Sequence, residues 1–144
     1  MSESQITVAR SEAEREACLR IRREVFVDEQ QVPEALEIDE YEDASTHFLL
    51  CVEGEPVATG RLRPKGPFIK FERIATRHAF RGQGWGGRLM EFMQEHAERH
   101  HSELTPAMHA QTSAITFYEK LGWVAEGKIF FEAGIPHRLL TRKL

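Results

Sequence analysis

The chain has 144 residues, 41% of them hydrophobic, and its formal net charge at pH 7 is −4. This length fits a single domain over residues 1–144 with a hydrophobic core of its own. The weak negative charge argues against a nucleic-acid partner, and no segment has the roughly 20 apolar residues of a membrane span.

Hydrophobic periodicity predicts seven strands and three main helices. The predicted strands cover residues 5–9, 46–52, 57–62, 68–76, 103–109, 123–131 and 138–142. The predicted helices cover residues 11–25, 84–100 and 113–121. Ser11 and Glu14 have the spacing of a capping box, and the first helix is expected to continue briefly before Pro33. The acidic segment 33–45 shows little periodicity and is interpreted as a solvated loop.

These strands are expected to form one mixed sheet. Residues 46–52 and 57–62 read as an antiparallel hairpin with a turn at 53–56. The strands at 68–76 and 103–109 flank a helix, and the crossover rule makes them parallel. The predicted fold class is therefore α+β, with a mostly antiparallel twisted sheet, one central parallel pair and helices on both faces.

Cysteine and histidine spacing predicts neither a disulfide nor a metal site. Cys18 and Cys51 are isolated, so we expect them to be reduced. His96 and His100 are four residues apart, but the sequence lacks the His-Glu-x-x-His pattern of zinc proteases. No metal is therefore expected. The N-terminal residues also show no charged and apolar leader, so we expect a cytoplasmic protein.

A glycine-rich loop follows the predicted strand at 68–76. Gly82, Gly84, Gly86 and Gly87 alternate with Gln83 and Trp85, and Arg81 and Arg88 flank them, in the run 81–88. Glycines remove the side chains that would keep a ligand from the backbone. At the start of a helix, the first amide N–H groups lack intrahelical partners and favour an anion. The loop therefore predicts an anion site that suits a pyrophosphate.

Three kinds of glycine-rich phosphate-binding loop can be compared with this run. A nucleotide-hydrolase loop requires Gly-Lys-Ser/Thr, but this loop ends in Gly87-Arg88-Leu89. The dinucleotide pattern G-x-G-x-x-G is matched, but residues 76–81 separate it from the strand and too little chain follows for a doubly wound domain. The third pattern, Arg/Gln-x-x-Gly-x-Gly/Ala, is the acyl-CoA loop of the GNAT acetyltransferases, and Arg81, Gly84 and Gly86 fit it.

The chain resembles this superfamily along nearly its whole length, and most of all its small bacterial ElaA/YjcF-like branch. The motifs that carry the resemblance are Val-Phe-Val-Asp-Glu-Gln at 25–30, His-Ala-Gln at 109–111, Phe-Tyr-Glu-Lys-Leu-Gly-Trp at 117–123 and Phe-Glu-Ala-Gly-Ile-Pro-His at 131–137. The resemblance implies that the two parallel strands splay apart to admit the pantetheine arm of acetyl-CoA. It also implies direct attack of an amine on bound acetyl-CoA, and it makes a homodimer a common arrangement.

The resemblance and the residue chemistry together select candidate site residues. Those expected to bind the cofactor are Ile74, Ala75, Thr76, Arg81, Gly82, Gln83, Gly84, Trp85, Gly86, Gly87, Arg88, Gln111, Ser113 and Phe117. Those expected near the acceptor are Arg22, Phe26, Glu29, Gln30 and His109. Tyr118 matches the position of the superfamily's tyrosine acid. Glu72 is the candidate base, although an ion pair with Arg61 or Arg63 is the competing interpretation, and His109 or water are the alternative bases.

The expected activity is N-acetyl transfer from acetyl-CoA to a small-molecule amine or a protein lysine. Two other function classes stay open from the sequence. The first is a module that binds acyl-CoA without turnover, and the second is an NAD(P)-dependent oxidoreductase based on the dinucleotide pattern. Substitution of Tyr118 separates the first from an enzyme, and competition between CoA and NAD separates the second.

Overall fold

The computed structural model describes residues 3–143, which form a seven-stranded sheet with helices on both faces. The sheet order is β1-β2-β3-β4-β5-β7-β6, with β1 Ser4–Val8, β2 Thr46–Val52, β3 Glu55–Lys65, β4 Phe68–Thr76, β5 Thr105–Gln111, β6 Val124–Glu132 and β7 Ile135–Thr141. Within the described residues, β4 and β5 are the one parallel pair. The predicted mixed sheet is therefore confirmed, and the doubly wound alternative is wrong because its sheet would be mostly parallel.

The helices occupy the predicted regions but differ in type and length. The α-helices are α1 Glu12–Arg22, α2 Glu34–Glu37, α3 Trp85–His100 and α4 Ile115–Glu119. Ser11 and Glu14 form the predicted capping box, in which the Ser11 hydroxyl accepts from the Glu14 amide at 3.1 Å. After Arg22 the chain continues as a π-helical segment, Arg23–Glu29, instead of the predicted α-helix. Such segments are rare and occur frequently at functional sites.

Two hairpins have tighter turns than the sequence indicates. The β2–β3 turn uses Glu53 and Gly54 alone, whose φ angles are 51° and 79°. Positive φ at both central residues matches the right-handed twist of the flanking strands. The β6–β7 turn repeats this geometry at Ala133 and Gly134. Both following strands consequently begin earlier than predicted.

Two hydrophobic layers cover the two faces of the sheet. On one face, α3 buries Leu89, Met90, Met93 and Ala97 against the strands. On the other face, α1 and the π-helical segment bury Ala17, Cys18, Ile21 and Val25. This arrangement confirms the prediction of helices on both faces and leaves the β5–β7–β6 end of the α1 face without a helix.

The parallel strands separate after a short paired stretch. Phe68, Ile69 and Lys70 pair with residues 105–107, and no pairing continues beyond Lys70 and Ala107 in the described chain. Against β3, the register moves from Arg61–Glu72 to Thr59–Ala75, so β4 contains one extra residue. Arg73 in this bulge has a φ of 56°. The predicted splay is confirmed, and it leaves facing strand edges unpaired.

The acidic segment 33–45 is not the solvated loop that its composition predicts. Its carboxylates bind arginines that lie under it, through the pairs Arg22–Glu37 at 2.7 Å, Arg22–Glu42 at 2.7 Å, Arg61–Asp39 at 2.7 Å and Arg73–Asp39 at 3.1 Å. Arg22 and Arg61 are each only 1% exposed. Hydrogen bonds from Arg61 hold the pKa of Asp39 far below its usual range, although burial opposes this shift. The segment is therefore anchored to the sheet by charge.

We expect Arg61→Leu to lower the free energy of unfolding by about 3 kcal/mol, because it removes a buried cation that three partly buried carboxylates share, each of which keeps one other arginine. Arg23→Leu is the matched control, since Arg23 pairs with the exposed Glu16 and Glu34. Its loss should cost less than about 1 kcal/mol. Urea denaturation at neutral pH measures both, and equal costs for the two variants would contradict the structural role of the network.

Candidate active site

A cavity of about 680 Å³ lies where β4 and β5 separate. Its walls come from the unpaired part of β4, the end of β5, the glycine loop with the start of α3, the π-helical segment, α4 and the β6–β7 hairpin. The predicted cofactor residues Ile74, Ala75 and Thr76 line one wall, and Gln111 and Ser113 line the opposite one. The splay therefore creates the cavity and brings residues that are far apart in sequence around it.

The glycine loop closes one end of the cavity with bare backbone. Gly82 and Gly84 have φ angles of 76° and 88°, and Gly84 is the N-cap of α3. A Cβ atom added at Gly82, Gly84 or Gly87 would meet no atom within 4 Å. The first amide of this region that has a backbone partner is Arg88, which donates to the Gly84 carbonyl at 3.2 Å. Within residues 3–143, the amides of 82–87 donate to no backbone or side-chain acceptor.

The two arginines of the loop already have partners, although Arg81 lines the cavity. Arg81 donates to both carboxylate oxygens of Glu29, at 2.6 and 2.8 Å, and to the Thr76 carbonyl at 2.9 Å. Its charge is therefore largely compensated, and the phosphate role predicted for it does not fit this arrangement. The pair also occupies Glu29, which was a candidate acceptor residue. The Arg88 guanidinium lies over the Trp85 ring, 5.6 Å from its centroid, and Arg88 does not line the cavity.

Other candidate residues differ in how they relate to the cavity. Phe26 and Gln30 line it, and the Gln111 amide donates to Gln30 Oε1 at 2.8 Å, which links the π-helical segment to β5. Gln83 is outside the lining and accepts a hydrogen bond from the Trp85 indole. Arg22 cannot contact an acceptor, because it is buried and saturated by Glu37 and Glu42.

Tyr118 lies on α4 with its side chain in the cavity wall. The residue is 8% exposed, and burial raises its pKa well above the usual value for a phenol. The ring of Phe117, which also lines the cavity, makes an edge contact with Tyr118 at 5.0 Å between centroids. Because the raised pKa keeps the hydroxyl protonated, Tyr118 is a proton donor at this site.

Glu72 forms the ion pairs that were the competing interpretation of its role. Arg63 donates to both of its oxygens, at 2.9 and 3.0 Å, and Arg61 donates at 3.2 Å. Burial alone would raise the pKa of Glu72, but the hydrogen bonds from Arg63 and the charge of Arg61 lower it. A carboxylate with occupied lone pairs and a lowered pKa is a weak base, so the base role predicted for Glu72 does not fit.

His109 lies in the cavity wall and has a partner that the sequence did not single out. Its Nδ1 is 2.6 Å from Glu132 Oε1, and both residues line the cavity. The hydrogen bond with His109 lowers the pKa of Glu132, which is therefore an ionised acceptor. Nδ1 must then carry a proton, so in the neutral tautomer the lone pair lies on Nε2. The sequence signal for Glu132 was its position inside the motif 131–137, one of those that carry the family resemblance.

The remaining chemical groups do not compete for this site. Burial raises the pKa of Cys18 and of Cys51, and neither thiol lines the cavity. Among the described residues, no group of three His, Cys, Asp or Glu side chains has the geometry to hold a metal ion. The longest helix of the described residues, α3, is too short and too polar to cross a membrane, and the other helices are shorter.

The splayed strands, the glycine loop and the tyrosine on α4 agree with a match to a known family over nearly the whole chain. A family model described as "Acetyltransferase (GNAT) domain" matches residues 6–143. The chain belongs to the GNAT acetyltransferase family. It is 39% identical over 131 residues to the uncharacterized N-acetyltransferase YjcF of Bacillus subtilis (strain 168), covering 90% of this chain and 93% of YjcF.

Solved structures of GNAT proteins share this fold. Escherichia coli ElaA has a TM-score of 0.87 at 26% identity, over 99% of this chain and all of that chain. An acyl-CoA N-acyltransferase from Pseudomonas aeruginosa has a TM-score of 0.85 at 27% identity, over 99% of both chains. The resemblance to the ElaA/YjcF-like branch is confirmed, and GNAT proteins use acyl-CoA as a co-substrate.

We expect His109→Ala to raise the pKa of Glu132 toward the ordinary glutamate value of about 4.3, because the hydrogen bond that lowers it is lost. A carboxyl ¹³C NMR titration measures this shift. Glu14, whose pKa is lowered by the distant Ser11 cap, is the internal control and should not move. An unchanged Glu132 pKa would show that the two side chains do not interact in solution.

Proposed function

We propose that the protein transfers an acetyl group from acetyl-CoA to a primary amine by direct attack, without an acyl-enzyme. The observation that carries this proposal is the row of free backbone amides at 82–87, which opens onto the cavity between the splayed strands. A helix N-terminus of this kind favours a pyrophosphate. The family match supports the same cofactor.

Coenzyme A fits the shape and polarity of this cavity. The pyrophosphate would lie on the amides of Gly82, Gly84 and Gly86, where an added Cβ has free space or only ordinary contacts. The pantetheine arm would run along the open edge of β4 and pair with the backbone of Ile74 and Thr76, which lie beyond the last β4–β5 pair. Unpaired strand edges readily accept an added extended segment.

Tyr118 is the proposed acid for the leaving sulfur. As the amine nitrogen forms its bond to the acyl carbon, the carbon–sulfur bond breaks and negative charge develops on sulfur. Tyr118 donates its hydroxyl proton to that sulfur. A phenol is a weaker acid than a thiol, so transfer to a free thiolate is uphill, and burial disfavours both anions. Donation while the carbon–sulfur bond breaks avoids an unprotonated thiolate in the cavity.

The proposed base is His109, positioned by Glu132. Nε2 of His109 accepts the proton that the amine must lose, and the carboxylate of Glu132 stabilises the resulting imidazolium. The imidazolium and the Tyr118 phenolate then return to their starting states by proton exchange through solvent. Since neither cysteine lines the cavity and burial raises the pKa of both, the thiols offer no nucleophile for an acyl-enzyme.

We expect Tyr118→Phe to lower kcat by roughly 100-fold or more, because the sulfur loses its proton donor. The Kd for CoA should change by less than about threefold, since the ring remains. Tyr41→Phe is the matched control: Tyr41 is the other tyrosine of the chain and does not line the cavity. Thiol release measures turnover, and isothermal titration measures CoA binding. Full activity of Tyr118→Phe would remove Tyr118 from the mechanism.

We expect Gly84→Ala to weaken CoA binding by about tenfold or more, because its methyl group would stand between the phosphates and the amides. Gly54→Ala is the control with the same backbone strain, since both glycines have positive φ and free space around an added Cβ. Both variants should lose about 1 kcal/mol of stability. Titration with CoA should separate them, and equal affinities would argue against phosphates at this loop.

A further inference from the structure

A second, smaller cavity of about 200 Å³ adjoins the main one at the end that lies away from the glycine loop. The two cavities share four lining residues, which are Phe71, Glu72, His109 and Glu132. The rest of the lining of the small cavity consists of Arg63, Lys65 and Lys70. Three cationic side chains thus face two carboxylates, next to the proposed base.

Lys70 is the exceptional group in this lining. It is 7% exposed, yet within residues 3–143 its ammonium has neither an ion pair nor a hydrogen bond. The carboxylates nearby have other partners, because Glu72 is held by Arg61 and Arg63 and Glu132 by His109. The ammonium nitrogen itself still reaches solvent, because no buried side-chain nitrogen or oxygen of residues 3–143 lacks a hydrogen-bond partner. It is therefore a cation without an ion pair at the wall of the small cavity, where a bound anion could pair with it.

The register of the sheet places Lys70 beside the proposed base. Lys70 pairs with Arg63 on β3 and with Ala107 on β5, and this is the last pair before the strands separate. His109 follows Ala107 by two positions, so the side chains of Lys70 and His109 project from the same face of the sheet. An acceptor with an anionic group on Lys70 would therefore present its amine toward His109.

The anion of this small cavity is not part of coenzyme A in the proposed binding mode. From Lys70 to Thr76, β4 extends about 20 Å at roughly 3.3 Å per residue. The glycine loop begins beyond Thr76, at the other end of the main cavity. The cofactor phosphates and Lys70 are thus too far apart to meet.

We propose that Lys70 binds the carboxylate of the acceptor, and that the acceptor is a small amino acid or related amino-carboxylate. This inference rests on the proposed acetyl transfer and specifies its acceptor class. The small cavity fits a compact group, and an amine within a protein side chain would bring no carboxylate to Lys70. Burial lowers the pKa of Lys70, with the charge of Glu72 opposing, and a bound carboxylate would raise this pKa again.

The test compares free L-amino acids with their carboxamides as acceptors, with acetyl-CoA as donor and thiol release as readout. Each amide keeps the size of its acid and loses the negative charge. Its amine is also less basic, so more of it is neutral at a given pH, which favours the amides and works against the expected preference. We expect kcat/KM to favour the acids by at least roughly 30-fold, because the amides leave the Lys70 ammonium without a partner. A lysine-containing peptide with blocked ends, as a third arm, should be a poor acceptor.

The variant Lys70→Met should remove the preference for acids and raise their KM by at least roughly 30-fold, while the KM for acetyl-CoA stays unchanged. Lys128→Met is the control, since Lys128 is exposed on β6 and lines neither cavity. The midpoint of thermal unfolding of Lys70→Met should not fall, because the Lys70 side chain is largely buried and its ammonium has no ion pair or hydrogen bond to lose. A lower midpoint would reveal a structural partner of Lys70 and overturn the proposal.

The outcomes separate this inference from the proposed function. Equal rates with acids and amides, or a KM that is insensitive to Lys70→Met, would overturn the carboxylate site while acetyl transfer stands. Tight CoA binding without acetylation of any amine in the panel would overturn both. NMR titration of the Lys70 ammonium in the presence of CoA provides a readout without turnover, and saturating glycine should raise its pKa.

Discussion

The separation of β4 from β5 after Lys70 is the constraint on which the rest of the structure depends. Unpaired backbone groups in a sheet interior are costly, so a strand pair does not open without a device that holds it open. Here the device is the bulge in β4, where Arg73 adopts a positive φ and its guanidinium binds the Glu37 carbonyl and Asp39. The acidic segment thus supports the strained strand from outside the sheet.

Ion pairs within the chain determine where positive charge stays available around the cavity. The arginines next to the main cavity are bound by carboxylates of the chain itself, as in Arg81–Glu29 and Arg63–Glu72. Among the described residues around the two cavities, a row of amide dipoles lacks a partner at one end, and Lys65 and Lys70 lack an ion pair at the other. An arginine that is already paired can orient a loop, but it attracts a further anion only weakly. The two proposed anion sites lie at these ends, with the proposed reaction between them.

The proposed catalytic groups come from elements that are distant in sequence and meet only at the cavity. Tyr118 is held by α4, His109 by β5 and Glu132 by the edge strand β6. Sites built from regular elements keep their geometry better than sites built from loops. The proposed acid and base also have different environments, since Tyr118 is buried and His109 is 38% exposed. Such a difference lets one group keep its proton while the other exchanges it with solvent.

The sequence alone determined the fold class, two hairpins, the parallel strand pair and the position of the glycine loop. These features follow from local periodicity, from the Ser11–Glu14 cap and from glycine spacing, which are properties of neighbouring residues. The fate of each charged side chain depended instead on which residues the fold brings into contact. Glu72 and Arg81 carry the right chemistry for the predicted roles, but Arg63 pairs with Glu72 from the neighbouring strand, and Glu29 pairs with Arg81 from the π-helical segment. The contact of His109 with Glu132 and the lack of an ion pair at Lys70 could be seen only in the structure. Contacts between strands that are distant in sequence depend on the register of the sheet, which neighbouring residues do not reveal.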